Sequence, residues 1–377
     1  MELFDVYPLF DINIVKAKGS FLWDESEIRY LDLYGGHAVI SIGHGHPAYV
    51  EALKNQIDKI GFYSNSIINS LQQELANKLG QASGYTDYNL FLCNSGAEAN
   101  ENAFKIASFA TTRKKIIAFN NAFHGRTSGS VAATDNPKIV APFNAGHEVV
   151  FLPFNDEEAF TKTIDESVAA VIIEGIQGVG GIQIPNNSFI QTLRKGCTQN
   201  GSMLILDEIQ SGYGRTGKFF AHQFADAKPD LITIAKGMGN GFPIGGVLVN
   251  PEIKSWHGML GTTFGGNHLA CAAGLAVLEV IEKENLMENA RIVGDYLMKE
   301  LKQFPDLLNV RGRGLMIGFD LPPSLTSLRK NLLSKHQIFT GEAKPNTVRL
   351  LPALNVSIKE LDMFLEALNV ELKLNVA

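Results

Sequence analysis

Little in this sequence is suited to export, to a membrane or to a nucleic acid. Three cysteines occur, Cys93, Cys197 and Cys271. They form no CxxC and an odd number cannot all pair, so a reducing, cytoplasmic setting is expected. No run of about 18 apolar residues exists, so no span of a membrane is expected. The first residues, MELFDVYPLF, carry acids and Pro8 where a signal peptide needs a basic start and an apolar core. Basic charge is in deficit: 33 Lys and Arg stand against 39 Asp and Glu, a net −6. That argues against nucleic acid or an anionic membrane as partner. No internal repeat, low-complexity tract or clean linker interrupts the chain. His44 and His46 stand in the turn Gly43–Pro47 without another His, Cys or Asp at ligand spacing. They are expected to pack a loop, and no metal is expected.

What is present suits a large soluble enzyme. A chain of 377 residues, 45% hydrophobic and 19% charged, fits one large domain and a smaller one. The large domain is expected over residues 46–274, and the small α+β domain over 1–45 together with 275–377. Apolar runs at Asn89–Cys93, Lys115–Phe119, Val149–Leu152, Ala169–Ile173, Met203–Leu206, Asp230–Ile234 and Val247–Val249 read as buried strands. Helical patterns at Ala97–Phe109 and Asn187–Thr198 fall between them. The alternation predicts an α/β fold whose mostly parallel sheet is covered on both faces. Farther on, helices are expected over Asn267–Glu284, Met287–Gln303 and from Ile358. Near the start, Ser20–Trp23 and Ile28–Leu33 read as a hairpin.

In such sheets ligands lie beyond the carboxyl ends of the strands, so the residues just after each run carry the information. The run ITIAKGMGNGFPIGG, Ile232 to Gly246, ends a buried strand in a single lysine, Lys236, followed by glycines. An ammonium buried without a partner is costly. Taken alone, the stretch fits a lysine that snorkels to solvent or an amine with a lowered pKa that bonds to a carbonyl. After Met203–Leu206 stand Asp207 and Gln210; a carboxylate at the end of an apolar strand needs a partner, such as a protonated ring nitrogen. After Lys115–Phe119 the loop offers Phe123, His124 and Arg126, an aromatic face and a carboxylate grip. Ser95, Gly96 and Ala97 open a helix and could hold a phosphate, although Ser95 with Glu98 also reads as a capping box. Thr262 and Thr263 form a second hydroxyl cluster before a long helix. The match of Gly212–Lys218 to GxxxxGK is discounted, because Phe219 stands where a P-loop has Ser or Thr.

Taken together, LDLYGG, GHGHP, NSGAEANE, FHGRT, IQGVGG, LDEIQSGYGRTG, IAKGMGNGFPIGG, TTFGGNHLA and VRLLPALN resemble the fold-type-I, class III aminotransferases, and within them the acetylornithine aminotransferases. The resemblance spans nearly the whole chain. It implies pyridoxal 5'-phosphate as cofactor and a homodimer with a shared active site. It implies that Lys236 bonds to the cofactor and then moves the α-proton, that Asp207 pairs with the ring nitrogen and Gln210 with the ring hydroxyl. It further implies that Phe123 stacks on the ring, and that Ser95, Gly96 and Ala97 hold the phosphate with Thr263 of a neighbouring subunit. Thr262 matches a substrate-contact position. Arg126 matches the grip for the carboxylate of an acylated ornithine, and Arg349 the grip for the α-carboxylate of glutamate or 2-oxoglutarate. The implied reaction moves the δ-amino group of an N2-acylornithine to 2-oxoglutarate, in arginine biosynthesis.

The chain departs from the family at two places that bear on substrate. Val179 replaces the glutamate of the family's GEGG, with Gly175 for the proline before it, and His37 stands where an aliphatic residue is usual. Losing a negative charge and gaining an imidazole suits an acyl arm that is itself acidic, such as succinyl, since like charges at close range are disfavoured. Packing drift at both positions is the plain alternative. Gly36 stands where ornithine enzymes carry a tyrosine, which favours an acylated substrate. Rival readings are a class III enzyme for ornithine, 4-aminobutyrate or another ω-amine, and a silent cofactor-binding module.

Overall fold

The structure, a computed structural model, describes residues 1–374. A seven-stranded sheet forms its centre. Across it the strands run Asn89–Cys93, Gly245–Val249, Leu231–Ile234, Met203–Asp207, Val168–Glu174, Lys115–Phe119 and Val149–Leu152. Gly245–Val249 is antiparallel to both neighbours, and the other pairings are parallel. The antiparallel strand explains why Gly245 is small: a Cβ there would lie 2.7 Å from the Ser95 carbonyl oxygen.

Period-two alternation sends successive residues of each strand to opposite layers. Ala170, Ile172 and Ile205 face Ala99, Ala103, Ile106 and Ala107 of the helix Gly96–Thr111. Those alanines let the helix lie close to the strands. Val171, Ile173, Leu204 and Leu206 face Phe189, Ile190, Leu193 and Cys197 of the helix Asn187–Asn200. Each inner strand is thus dry on both sides, which is why the sequence shows it as an unbroken apolar run. Truncating a side chain such as Leu206 to alanine in this layer costs about 2–5 kcal/mol. The helix His268–Lys283 is buried on nearly every side, packing on helices Pro47–Ile57, Ser70–Ser83 and Leu286–Leu301.

Two smaller sheets complete the fold. Strands Ile14–Lys18, Phe21–Asp24 and Arg29–Asp32 run antiparallel, and Ile338–Phe339 joins Arg29–Asp32 in parallel. Early and late parts of the chain therefore share one sheet. The hairpin turns on Asp24, whose carboxylate accepts from the Ser26 and Ile28 amides, each at 2.9 Å, and the Tyr30 hydroxyl at 2.8 Å. The third sheet runs Leu308–Arg313, Met316–Asp320, Thr347–Leu350 and Gly341–Ala343, all antiparallel. It delivers Arg349 towards the central sheet.

Three expected strands keep the same bounds, and the remaining elements shift by a residue or a few. The first strand of the hairpin is displaced to Phe21–Asp24; of a late strand pair expected near Val310–Arg311 and Leu315–Asp320, the first lengthens to Leu308–Arg313 and the second begins a residue later, at Met316–Asp320. Helices Glu157–Thr163 and Leu328–His336 and strand Ile14–Lys18 had no counterpart in the sequence reading. The loop that resembles a P-loop has a structural task. Its Arg215, 2% exposed, donates to the Leu315 and Ile40 carbonyls, each at 3.3 Å, and to that of Pro352. His44 and His46 each meet a carboxylate at 2.8 Å, Asp32 and Glu284 respectively. Among the described residues no cluster of three or more His, Cys, Asp or Glu is placed to hold a metal, and no helix is long and apolar enough to cross a membrane.

Candidate active site

A cleft of about 390 Å³ opens at the carboxyl ends of the parallel strands. Ser95, Gly96, Ala97, Phe123, Arg126, Val179, Asp207, Gln210 and Lys236 all line it, although they come from five separate stretches of chain. Its volume is within the range of small-molecule sites.

Asp207 ends its strand as a buried carboxylate, 4% exposed. Oδ2 accepts from Asn100 Nδ2 at 2.8 Å and from His124 Nδ1 at 2.7 Å, and Oδ1 accepts from the Ile209 amide at 3.1 Å. An ionised carboxylate only accepts, so His124 carries its proton on Nδ1. The opposite nitrogen, Nε2, is buried without a partner. Asn100 is itself anchored by donating to the His124 carbonyl at 2.7 Å. Sequence reasoning named Asp207 but gave no role to Asn100 or His124. The signal for Asn100 was a polar side chain on the alanine face of a core-facing helix.

Lys236 follows strand Leu231–Ile234 and takes φ +45, a left-handed conformation that a side-chain-bearing residue adopts only under constraint. Burial pushes its amine pKa down, and the Arg349 charge adds to this; Asp207 and Glu174 oppose. A larger neutral fraction is what a nucleophilic or basic amine needs.

Ser95 is the N-cap of helix Gly96–Thr111, its hydroxyl accepting from the Glu98 amide at 3.2 Å. The Glu98 carboxylate takes the Asn94 amide at 2.6 Å, so the box closes one residue earlier than a standard capping box. The helix still turns its N-terminal end and the Ser95–Ala97 stretch to the cleft, where an anion is favoured. Gln210 donates to the His37 carbonyl at 3.1 Å, and its Oε1 is buried without a partner. Gly178 makes room for it: a Cβ there would stand 1.6 Å from that oxygen.

Arg349 is 4% exposed, and its Nε and Nη1 are buried without partners. Burial lowers its pKa, while Tyr34, Glu174 and Glu342 act to keep the charge. Unpaired guanidinium nitrogens at this depth are expensive, and a planar carboxylate would satisfy them. Beside it Tyr34 and His37 lie with ring centroids 4.7 Å apart, the hydroxyl bonded to the imidazole. Desolvation, then the Arg349 and Lys236 charges, lowers the His37 pKa, which keeps the ring neutral. Residues Gly35, Gly36, His37 and Ala38 all take φ between +54 and +66, a left-handed turn that includes two residues with side chains. Such conformations cost roughly 1–2 kcal/mol per residue.

Thr262 and Thr263 do not reach the cleft of their own chain; both line a separate recess with Asn94 and Glu98. Thr262 Oγ1 accepts from the Gly265 amide at 3.1 Å. Arg126 lies exposed at the mouth of the cleft.

The donor set fits pyridoxal phosphate. An anchored buried carboxylate, an amine with a lowered pKa, an aromatic wall and a helix N-terminus surround one cleft of suitable size. A family model described as "Aminotransferase class-III" matches residues 5–372. The chain is 40% identical to an acetylornithine aminotransferase of Archaeoglobus fulgidus over 97% of this chain and 96% of that one. It is also 40% identical to the acetylornithine aminotransferase of Bacillus subtilis, over 96% and 94%. A solved ornithine aminotransferase from Toxoplasma gondii, whose active site is described as partly occupied by PLP, superposes with a TM-score of 0.89 at 26% identity, covering 98% of this chain and 93% of that one.

Proposed function

The chain belongs to the class III aminotransferases, and from that premise we propose that it binds pyridoxal 5'-phosphate and moves the δ-amino group of an N2-acylornithine to 2-oxoglutarate. The products are the N-acylglutamate semialdehyde and glutamate, a step of arginine biosynthesis. The observation that carries the proposal is one cleft shared by the Lys236 amine and the anchored Asp207 carboxylate. The names of the relatives support the acylated substrate.

When bound, the cofactor supplies an aldehyde carbon to accept an amine and a ring that draws electrons from the substrate carbon. The chain supplies the rest. Asp207, held by Asn100 and His124, offers its charge to a ring N–H. Phe123 and Val179 form walls of the cleft. Gln210 offers Oε1 to the ring hydroxyl, and the Ser95–Ala97 turn takes the phosphate. Lys236, whose amine pKa burial pushes down, holds and returns the proton at the substrate carbon. Arg126 takes the carboxylate of the acylornithine, and Arg349 that of glutamate or 2-oxoglutarate.

Thr263 completes the phosphate site from a second copy, and Thr262 contacts substrate; their distance from their own cleft supports an active site shared in a homodimer. The large domain would span residues 46–274, and the small one 1–45 and 275–377, of which 375–377 lie outside the described residues. Three free, buried cysteines fit a cytoplasmic setting.

Val179 and His37 favour an anionic acyl arm such as succinyl. Arg349 has no internal carboxylate bonded to it among the described residues, and Gly36 leaves open space where a Cβ would meet nothing within 4 Å. A class III enzyme for ornithine itself is the second reading, supported by the solved neighbour. Measuring kcat/KM for acetylornithine, succinylornithine, ornithine and 4-aminobutyrate separates these. The proposal expects an acylornithine to lead; a lead by ornithine or 4-aminobutyrate would overturn it. A clear preference for acetyl would remove the specificity role of His37 and Val179 alone.

A further inference from the structure

Among the described residues two acids line the cleft, Asp207 and Glu174, and the reaction above uses only the first. Glu174 ends a strand whose seven residues are all buried, and it stands in register opposite Asp207. Carboxylates so placed repel, and burial adds the cost of desolvating a second charge. Burial pushes the Glu174 carboxyl up to about 7; His124 and two backbone amides pull against this, and Asp207 reinforces it. A group this costly is not kept for stability.

Its hydrogen bonds show what it holds. Oε1 accepts from the Phe123 amide at 3.0 Å, and Oε2 from the Gly178 amide at 3.1 Å. Phe123 lines one side of the cleft, and Gly178 precedes Val179, which lines another. Gly178 is crowded by Gln210 as well, whose Oε1 lies 1.6 Å from where a Cβ would stand. The walls come from loops far apart in sequence, and one carboxylate joins them.

We propose that Glu174 is a positioning residue: by holding the backbone amides of Phe123 and Gly178 on its two oxygens, it sets the spacing of the cleft walls between which the cofactor ring lies. The proposal rests on the reading of this cleft as the cofactor site. The charged and titratable groups that act on Glu174 are His124, Asp207, Lys236 and Arg349. As a carboxylate, Glu174 accepts both amides. Protonated, the oxygen that carries the hydrogen keeps a single lone pair and becomes a poorer acceptor, so one of the two bonds is weakened. The grip is therefore complete above about pH 7 and partial below it. The stability term has the opposite sense. The folded pKa is raised, so the cost of ionisation is absent below the unfolded value and fully present above the folded one.

Glu174→Gln removes that charge and leaves one acceptor for two amides. In the cofactor-free protein at about pH 8, hydrogen exchange at either the Phe123 or the Gly178 amide should quicken about tenfold or more, while the melting temperature does not fall. In the loaded enzyme, kcat should drop at that pH, and the acidic limb near pH 7 of the wild-type profile should vanish from the variant. Equal protection of both amides, or an unchanged acidic limb, would overturn the proposal. Should the variant fail to fold, the wild type carries the test: after correction for intrinsic rates, one of these amides must lose protection as pH falls through about 7, and constant protection is the contrary result. A wild type without transaminase activity would overturn the function proposed above, yet the exchange comparison would still decide the role of Glu174.

Discussion

The Asp207 side of the cleft and the Arg349 region, whose charge acts on Lys236, differ in how far the chain has already satisfied them. On the Asp207 side both carboxylate oxygens are engaged by Asn100, His124 and the Ile209 amide, all rooted in the central sheet and its helix. On the Arg349 side two guanidinium nitrogens are unpaired, Val179 is 42% exposed, and the turn bearing His37 is left-handed for four residues. A fixed dipole arrangement stabilises the same charge in every cycle. An unpaired cation with room beside it suits ligands that come and go. Under the proposed function, the first side would serve a resident cofactor and the second alternating substrates.

The sharpest way to break this division is Lys236→Ala, which removes the amine proposed to move the proton. Steady-state assays should show kcat lower by about 10²–10⁴-fold or more. Arg349→Ala comes next. Taking one partner from a buried carboxylate pair costs about 2–5 kcal/mol, and rapid-mixing assays should place that loss in the glutamate half-reaction. The acylornithine half-reaction should change far less; equal losses in both would erase the distinction. The smallest expected effect is that of His124→Phe. It strips Asp207 of one charge-assisted bond, worth about 1.5–3 kcal/mol, and should weaken cofactor retention in equilibrium dialysis while the glutamate and acylornithine half-reactions slow alike.

The better-satisfied side was also the more legible one. Lys115–Phe119 was read with the bounds it has because a strand buried on both faces needs an unbroken apolar run, and the edge strands Asn89–Cys93 and Val149–Leu152 because their own apolar runs are as long as their pairing. Lys236 and Asp207 stood out for the same reason, as charges ending such runs. What escaped was tertiary. The His124–Asp207 contact joins residues 83 apart, and Glu174 had no visible partner until its two amides were brought to it by separate loops. The edge strands Ile14–Lys18 and Ile338–Phe339 are short, and Ile338–Phe339 depends on pairing with Arg29–Asp32 across most of the chain, which local periodicity does not encode. The left-handed turn at Gly35–Ala38 was hidden because only its first two residues are glycine.

The central claim is that one cleft carries an amino group between two substrates. Its most direct test is the visible spectrum of the protein loaded with pyridoxal phosphate during single turnovers. N-acylornithine and glutamate should each convert the carbonyl form of the cofactor to the amine form, and 2-oxoglutarate should restore it; Lys236→Ala should show no such cycle. A loaded wild-type protein whose spectrum stays unchanged with both amino donors would contradict the account.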